Sequence, residues 1–216
     1  VPVVIATLLY QAYFDYNSFI WLAAVSVGLS SGASGIITAH ELGHRRPRSR
    51  SWWLSRLDLM CVLYLHFTVE HNHTHHKHWA KPRDPTSSPW KRNVYVHFIR
   101  TIPLQLMGAY RAKPKDFRYS MLVQLTLLVT LFIISPVLLG VFLLQAVVAI
   151  FLLEFVNYLQ HHGLVRGDDE RANAGHAWES RNRWSRWTLL ELPLHPSHHL
   201  RSSTPYQKLA VHEDSP

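Results

Sequence analysis

The sequence predicts an all-α protein: an integral-membrane bundle of helical hairpins carrying a histidine-rich cap on the cytoplasmic side. Three observations predict it. Cations are segregated from long apolar runs, one run is long enough for two bilayer crossings, and the histidines cluster at the ends of apolar segments. The mean hydropathy of −0.03 would suit a soluble chain, but it averages over blocks of opposite character.

The segregation comes first. No Lys or Arg occurs from Val1 to His44 or from Tyr119 to Val165. All 22 basic residues fall in Arg45–Arg118 and Arg166–Lys208. Apolar blocks alternating with basic ones read as membrane and cytoplasmic face. The expectation is a single membrane-embedded domain over 1–216, with membrane helices in 1–44 and 119–160 and the cap in 45–118 and 161–216.

Each element follows from that frame. A crossing needs about 20 apolar residues. Met121–Leu153 is almost wholly apolar and breaks at Ser135-Pro136, which predicts two helices with a tight turn there. Phe19–Ile37 predicts another span. Val1–Phe14, short for a crossing, would be its partner, with Asp15-Tyr16-Asn17-Ser18 as the outer turn, giving four spans. No basic residues precede the first apolar run, so it does not read as a cleaved signal peptide. Trp52–Val69 contains Arg56 and Asp58 and is expected to be an interfacial or re-entrant helix, since a crossing would separate the histidines on its two sides. His97–Tyr110, with Arg100 and Pro103, reads as a second surface-lying piece. Gly28–Gly35 is rich in small residues, which suits close helix packing, with a lipid-side groove for an alkyl chain as the sharper alternative.

Composition excludes several classes. A lone cysteine, Cys61, rules out disulfides, zinc ribbons and thiolate iron–sulfur centres within the chain, and its apolar setting suits a buried small hydrophobe. The net charge of +8 comes with no nucleic-acid motif and points to lipid headgroups or an acidic protein partner.

The sixteen histidines concentrate in four places. His40 and His44 flank Glu41-Leu42-Gly43. Glu70-His71-Asn72-His73-Thr74-His75-His76 follows the Trp52–Val69 segment. His161 and His162 end the second hairpin, and His195-Pro196-Ser197-His198-His199 closes the series. Helical spacing of i and i+4 puts two side chains on one face. On that count His40 and His44 can share an ion, as can His71 and His75, and His195, His198 and His199 share a face. Glu154, Asn157 and His161 form a further polar face. Glu154 stands alone among apolar residues and needs a partner. Surface histidines without a task remain the bland alternative for any one of them, but not for four clusters.

Several metal chemistries meet this pattern. His40-Glu41-Leu42-Gly43-His44 fits the H-E-x-x-H signature of an intramembrane zinc protease, with Glu41 as base, yet leaves the other clusters idle. A metal transporter would place its histidines inside the spans rather than at their ends. The soluble di-iron proteins need paired Glu-x-x-His motifs together with extra glutamates, and Glu41-x-x-His44 is one such spacing. Imidazole suits iron, copper and zinc alike.

Taken together, the motifs resemble those of the membrane alkane monooxygenases (AlkB type) in the membrane desaturase–hydroxylase superfamily. Four family motifs, H-E-L-x-H-[KR], E-H-x-x-G-H-H, N-Y-x-E-H-Y-G and L-Q-R-H-S-x-H-H, stand here as His40–Arg45, Glu70–His76, Asn157–Gly163 and Leu192–His199. Tyr206-Gln207 and Asp84-Pro85-Thr86-Ser87-Ser88 match flanking family patterns. The resemblance runs from His40 to Gln207. It departs at Thr74 (family Gly), Gln160 (family Glu) and Leu192-Pro193-Leu194 (family L-Q-R), and family members extend further at both ends.

The resemblance implies two non-heme iron ions held by His40, His44, His71, His75, His76, His161, His195, His198 and His199, with His73 and His162 as extras. Glu41 and Glu70 would act at the centre as carboxylates that orient ligands and offset charge, with Glu154 and Asn157 behind them. The implied activity is alkane 1-monooxygenase, hydroxylation of a terminal C–H bond in alkanes or similar chains, with a fatty-acyl desaturase or hydroxylase as the near alternative. Electrons would come from rubredoxin and its reductase, since no G-x-G-x-x-G fingerprint provides for a flavin or nicotinamide. The docking candidates are Arg45, Arg46, Arg48, Lys113, Lys115, Arg181 and Arg183. The expected location is the inner membrane, with the site facing the cytoplasm.

Overall fold

The computed structural model describes residues 1–216 and is helical throughout. Its sole β feature is an isolated bridge between Ser88 and His162. The helices are α1 (Pro2–Phe14), α2 (Ile20–Ser30), α3 (Ile36–Gly43), α4 (Arg50–Cys61), α5 (Phe67–Glu70), α6 (His76–His78), α7 (Val94–Ala112), α8 (Pro114–Ile134), α9 (Pro136–His161), α10 (Arg183–Thr188) and α11 (His195–Leu200). Two π-helical turns interrupt the series, Ser31–Gly35 and His71–His75. The chain forms two compact units, Val1–His66 with Lys115–Leu153, and Phe67–Pro114 with Glu154–Pro216.

Three helical stretches are long and apolar enough to cross a bilayer: Ile20–Gly43, Pro114–Ile134 and Pro136–His161. The hairpin expected at Ser135-Pro136 is present, because Pro136 cannot continue α8 and starts α9. The Ser135 hydroxyl caps the new helix by accepting from the Val137 amide at 3.2 Å. Large apolar side chains such as Leu122, Leu125, Phe132 and Ile133 stay exposed on α8, as a lipid-facing surface requires. The fourth expected stretch, α1, is a shorter apolar helix. The 13-residue α1 reaches about 20 Å at 1.5 Å per residue, short of a hydrocarbon core of about 30 Å.

The first unit packs Ile5, Leu8, Ile20, Ala24, Leu131, Val141 and Phe142 into one core, together with the buried Cys61. Close packing explains its small residues. A Cβ on Gly28 would stand 2.6 Å from the Gln145 carbonyl, and one on Gly32 would stand 2.9 Å from Leu152. The Gly28–Gly35 stretch therefore seats α2 against α9, and at Gly28 and Gly32 no groove is left.

The Trp52–Val69 segment is not one helix. After α4 the chain bends through Val62–His66, with Leu63 in the left-handed region at φ 56°. Buried side chains satisfy the bend. Arg56 donates to the Leu65 carbonyl at 2.6 Å, Gln124 accepts from the Leu65 amide at 2.7 Å, and Gln145 donates to the Cys61 carbonyl at 2.8 Å.

In the second unit, α7 is amphipathic. Asn93 caps it, accepting from the Val96 amide at 2.9 Å. His97, Thr101, Gln105 and Ala109, spaced by four, form its buried face, while Tyr95, Ile99 and Tyr110 are exposed.

Candidate metal centre

Within the second unit, two groups of imidazoles face inward. The ligand atoms of His75, His161, His195 and His199, all buried, lie within 4.8 Å of one another, as do those of His71, His76 and His198. The nitrogens that meet are all Nε2. His75 and His199 approach to 3.2 Å, His199 and His195 to 2.9 Å, and His195 and His161 to 2.9 Å. In the other group His71 and His76 approach to 3.0 Å, and His76 and His198 to 3.1 Å.

The helical elements dictate this sorting. Across the π turn, His71 meets His76, five residues on, while His75 is turned to the other group. The i, i+4 expectation that His71 and His75 share an ion is thus replaced by an i, i+5 pair. A π turn adds one residue per turn and shifts the phase of all that follows. In α11, His195 and His199 share a group four residues apart and His198 joins the other. In the first unit, His40 and His44 lie on one face of the α3 end, ring centroids 5.0 Å apart.

The donors fit a metal. Ligand nitrogens about 2.1 Å from a common ion stand roughly 3.0–3.4 Å apart in octahedral or tetrahedral arrangements, which matches these spacings. Their protonation fits as well. Burial, then the neighbouring His195, His76, His75 and His161, hold His199 well below the ordinary histidine range. It therefore stays neutral, the form that binds metal.

Asp84 orients the group of four. His75 Nδ1–H donates to its carboxylate at 3.0 and 3.2 Å, fixing the tautomer and directing the Nε2 lone pair toward the other imidazoles. Asp84 is in turn fixed by Ser87, whose hydroxyl donates at 2.7 Å and accepts from the Ala80 amide at 2.8 Å. Burial pushes the Asp84 carboxyl up, but attraction to His75 and its hydrogen bond outweigh this and leave it below the ordinary value. Trp79, 2% exposed, stacks on His199 with centroids 4.5 Å apart and rings tilted by 24°. Sequence reasoning assigned no role to Asp84 or Trp79. The signal for Asp84 was present in the Asp84–Ser88 motif.

The other carboxylates differ. Glu70 is buried directly before His71, and its Oε1 has no hydrogen-bond partner. Burial, then repulsion from Asp84 and Glu154, push its carboxyl well above the ordinary range. Glu154, fully buried, finds the partner its position demands in Gln105. The amide of Gln105 donates to both carboxylate oxygens at 3.0 and 3.1 Å, and Asn157 donates at 3.4 Å. Glu41 is instead engaged by Arg45, one turn later.

The docking candidates are variously placed. Arg46, Arg48 and Lys115 are exposed and Lys113 is half-buried. Arg181 meets Glu179 at 3.1 Å, and Arg183 lies over Trp187 at 4.0 Å. His73 is exposed, whereas the His162 ring packs between Trp90 and Tyr158.

The model of the fatty acid desaturase family matches residues 17–212. The chain belongs to that family. Among its relatives, alkane 1-monooxygenase 1 of Pseudomonas aeruginosa is 33% identical over 242 residues, covering 100% of this chain and 63% of that protein. Alkane 1-monooxygenase 1 of Alcanivorax borkumensis is 30% identical, covering 100% and 59%. The xylene/toluene monooxygenase hydroxylase component XylM of Pseudomonas putida is 25% identical, covering 89% and 56%. The chain thus spans about three-fifths of the length of these relatives.

Proposed function

We propose that the chain is the catalytic part of a membrane di-iron monooxygenase, an alkane 1-monooxygenase that hydroxylates terminal C–H bonds of alkanes or similar alkyl chains. The observation that carries this reading is the separation of inward-facing imidazoles into two groups. His75, His161, His195 and His199 would hold one ion. His71, His76 and His198 would serve the other, and by motif correspondence with the family His40 and His44 complete it. Imidazole alone does not choose iron. The names of the relatives favour an oxygen-using enzyme, and with it iron.

When bound, iron supplies activation of O2, which with two electrons and two protons places one oxygen atom in the C–H bond and the other in water. The residues of the chain do the rest. Asp84 holds His75 in its ligating tautomer. With cations bound, the buried Glu70, which otherwise holds its proton, and Glu154 would carry negative charge beside the neutral ligands and offset the cationic charge, and Glu41 would act in the same way at the first motif. The electron donor in this reading is rubredoxin with its reductase, docking on basic residues drawn from Arg45, Arg46, Arg48, Lys113, Lys115, Arg181 and Arg183. Residues 1–44 and 119–160 would lie in the inner membrane, and the cap of 45–118 and 161–216 would face the cytoplasm, all as one domain.

A fatty-acyl desaturase or hydroxylase is the second reading, favoured by the family match itself. Metal analysis of detergent-purified protein and product analysis with rubredoxin, its reductase and an alkane test both. About two irons per chain and a primary alcohol are expected. Alkene formation from an acyl chain would favour the second reading. A single zinc with peptide cleavage would overturn both.

A further inference from the structure

Apart from the histidine groups, the second unit contains a cavity of about 370 Å³. Arg83 and Arg111 line it, with His73, Thr74, His78 and Gly108; no carboxylate lines it. Gly108 and Thr74 pack closely, since a Cβ on Gly108 would stand 3.3 Å from the Thr74 side chain. Both guanidiniums are permanently charged and suited to phosphate oxygens. Arg83 meets Asp168 at 3.7 Å, but those side chains are 58% and 75% exposed, so the contact does little to neutralise it.

Position in the chain points to the occupant. Arg111 lies in the last turn of α7, and the bilayer-crossing stretch begins at Pro114. The end of a span lies at headgroup depth, where lipid phosphates are found. Thr74, among the lining residues, adds a hydroxyl at the position where the resembled family has glycine.

We propose that this cavity binds the phosphate of an anionic membrane lipid. Arg83 and Arg111 hold the phosphate, and the Thr74 hydroxyl donates to it. Because Thr74 belongs to the π turn His71–His75, the lipid also steadies the turn that sorts those histidines. The proposal stands apart from the catalytic reading, and its test needs no turnover.

The experiment titrates the detergent-purified full chain with short-chain phosphatidylglycerol. Phosphatidylcholine of the same chain length and inorganic phosphate form separate arms, and the readout is the thermal unfolding midpoint. Saturable stabilisation by phosphatidylglycerol alone is expected, weakened about thirtyfold by combining Arg83→Gln with Arg111→Gln. If the double variant does not fold, Arg111→Gln alone, at an exposed position, should weaken binding about fivefold. Equal stabilisation by phosphatidylcholine, or undiminished affinity in the variants, would overturn the site. Inorganic phosphate acting as strongly as the lipid would overturn the lipid as its occupant.

Discussion

The chain interrupts its helices with a π turn twice, and the two turns serve opposite ends. Ser31–Gly35 is built of small residues, with Gly32 against Leu152 and the Ser34 hydroxyl returned to the Ser30 carbonyl at 2.7 Å. Its extra residue is absorbed in packing. His71–His75 carries three imidazoles, and its extra residue sends His71 and His75 to different groups. One backbone device therefore adjusts a membrane helix in the first unit and partitions imidazoles in the second. The side chains decide which.

That contrast is most easily broken at His75. Its replacement by alanine should lower metal content to about half and abolish turnover, while His212→Ala, outside every group, keeps both. Full metal loading in the His75 variant would place the ligand elsewhere. Asp84→Asn is milder: it should weaken metal binding about 10–100-fold with the fold intact, as metal titration would report. An unchanged affinity would leave Asp84 a purely structural role.

The first turn's neighbourhood should respond in stability instead. Gly28→Ala gains about 1 kcal/mol of helix propensity, but its methyl collides with a backbone carbonyl. A net loss of about 1–3 kcal/mol is expected, read as a lower unfolding temperature at unchanged metal affinity in the second unit. Smallest of all, charge reversal at Lys113 or Arg181 should lower the rubredoxin-limited rate a few-fold at low salt and leave metal content intact. A rate indifferent to salt and to both changes would assign these cations to lipid.

Much of this was legible in the sequence, because its signals are local. Cation-free apolar runs marked the spans, Ser135-Pro136 marked the turn, and the four motifs marked the family. What was hidden depends on phase and on distant partners. The assumption of 3.6 residues per turn paired His71 with His75, and nothing in His-Asn-His-Thr-His announces a π turn. Glu154 plainly needed a partner, but Gln105 stands 49 residues away. Asp84 reaches His75 through a loop, where spacing rules do not operate. The bend at Leu63 adopts a conformation that leucine rarely takes, and distant side chains hold it there.

That bend has a consequence for how the protein is made. Its carbonyls and amides depend on Gln124 and Gln145, the latter 84 residues further along the chain than its acceptor at Cys61. At about 5–20 residues per second, the ribosome delivers Gln145 roughly 4–17 seconds after Cys61. Through that interval the Cys61 carbonyl lacks its Gln145 partner and must keep to water or lipid headgroups, since unpaired peptide groups are costly in hydrocarbon. The bend can settle only when the last hairpin arrives.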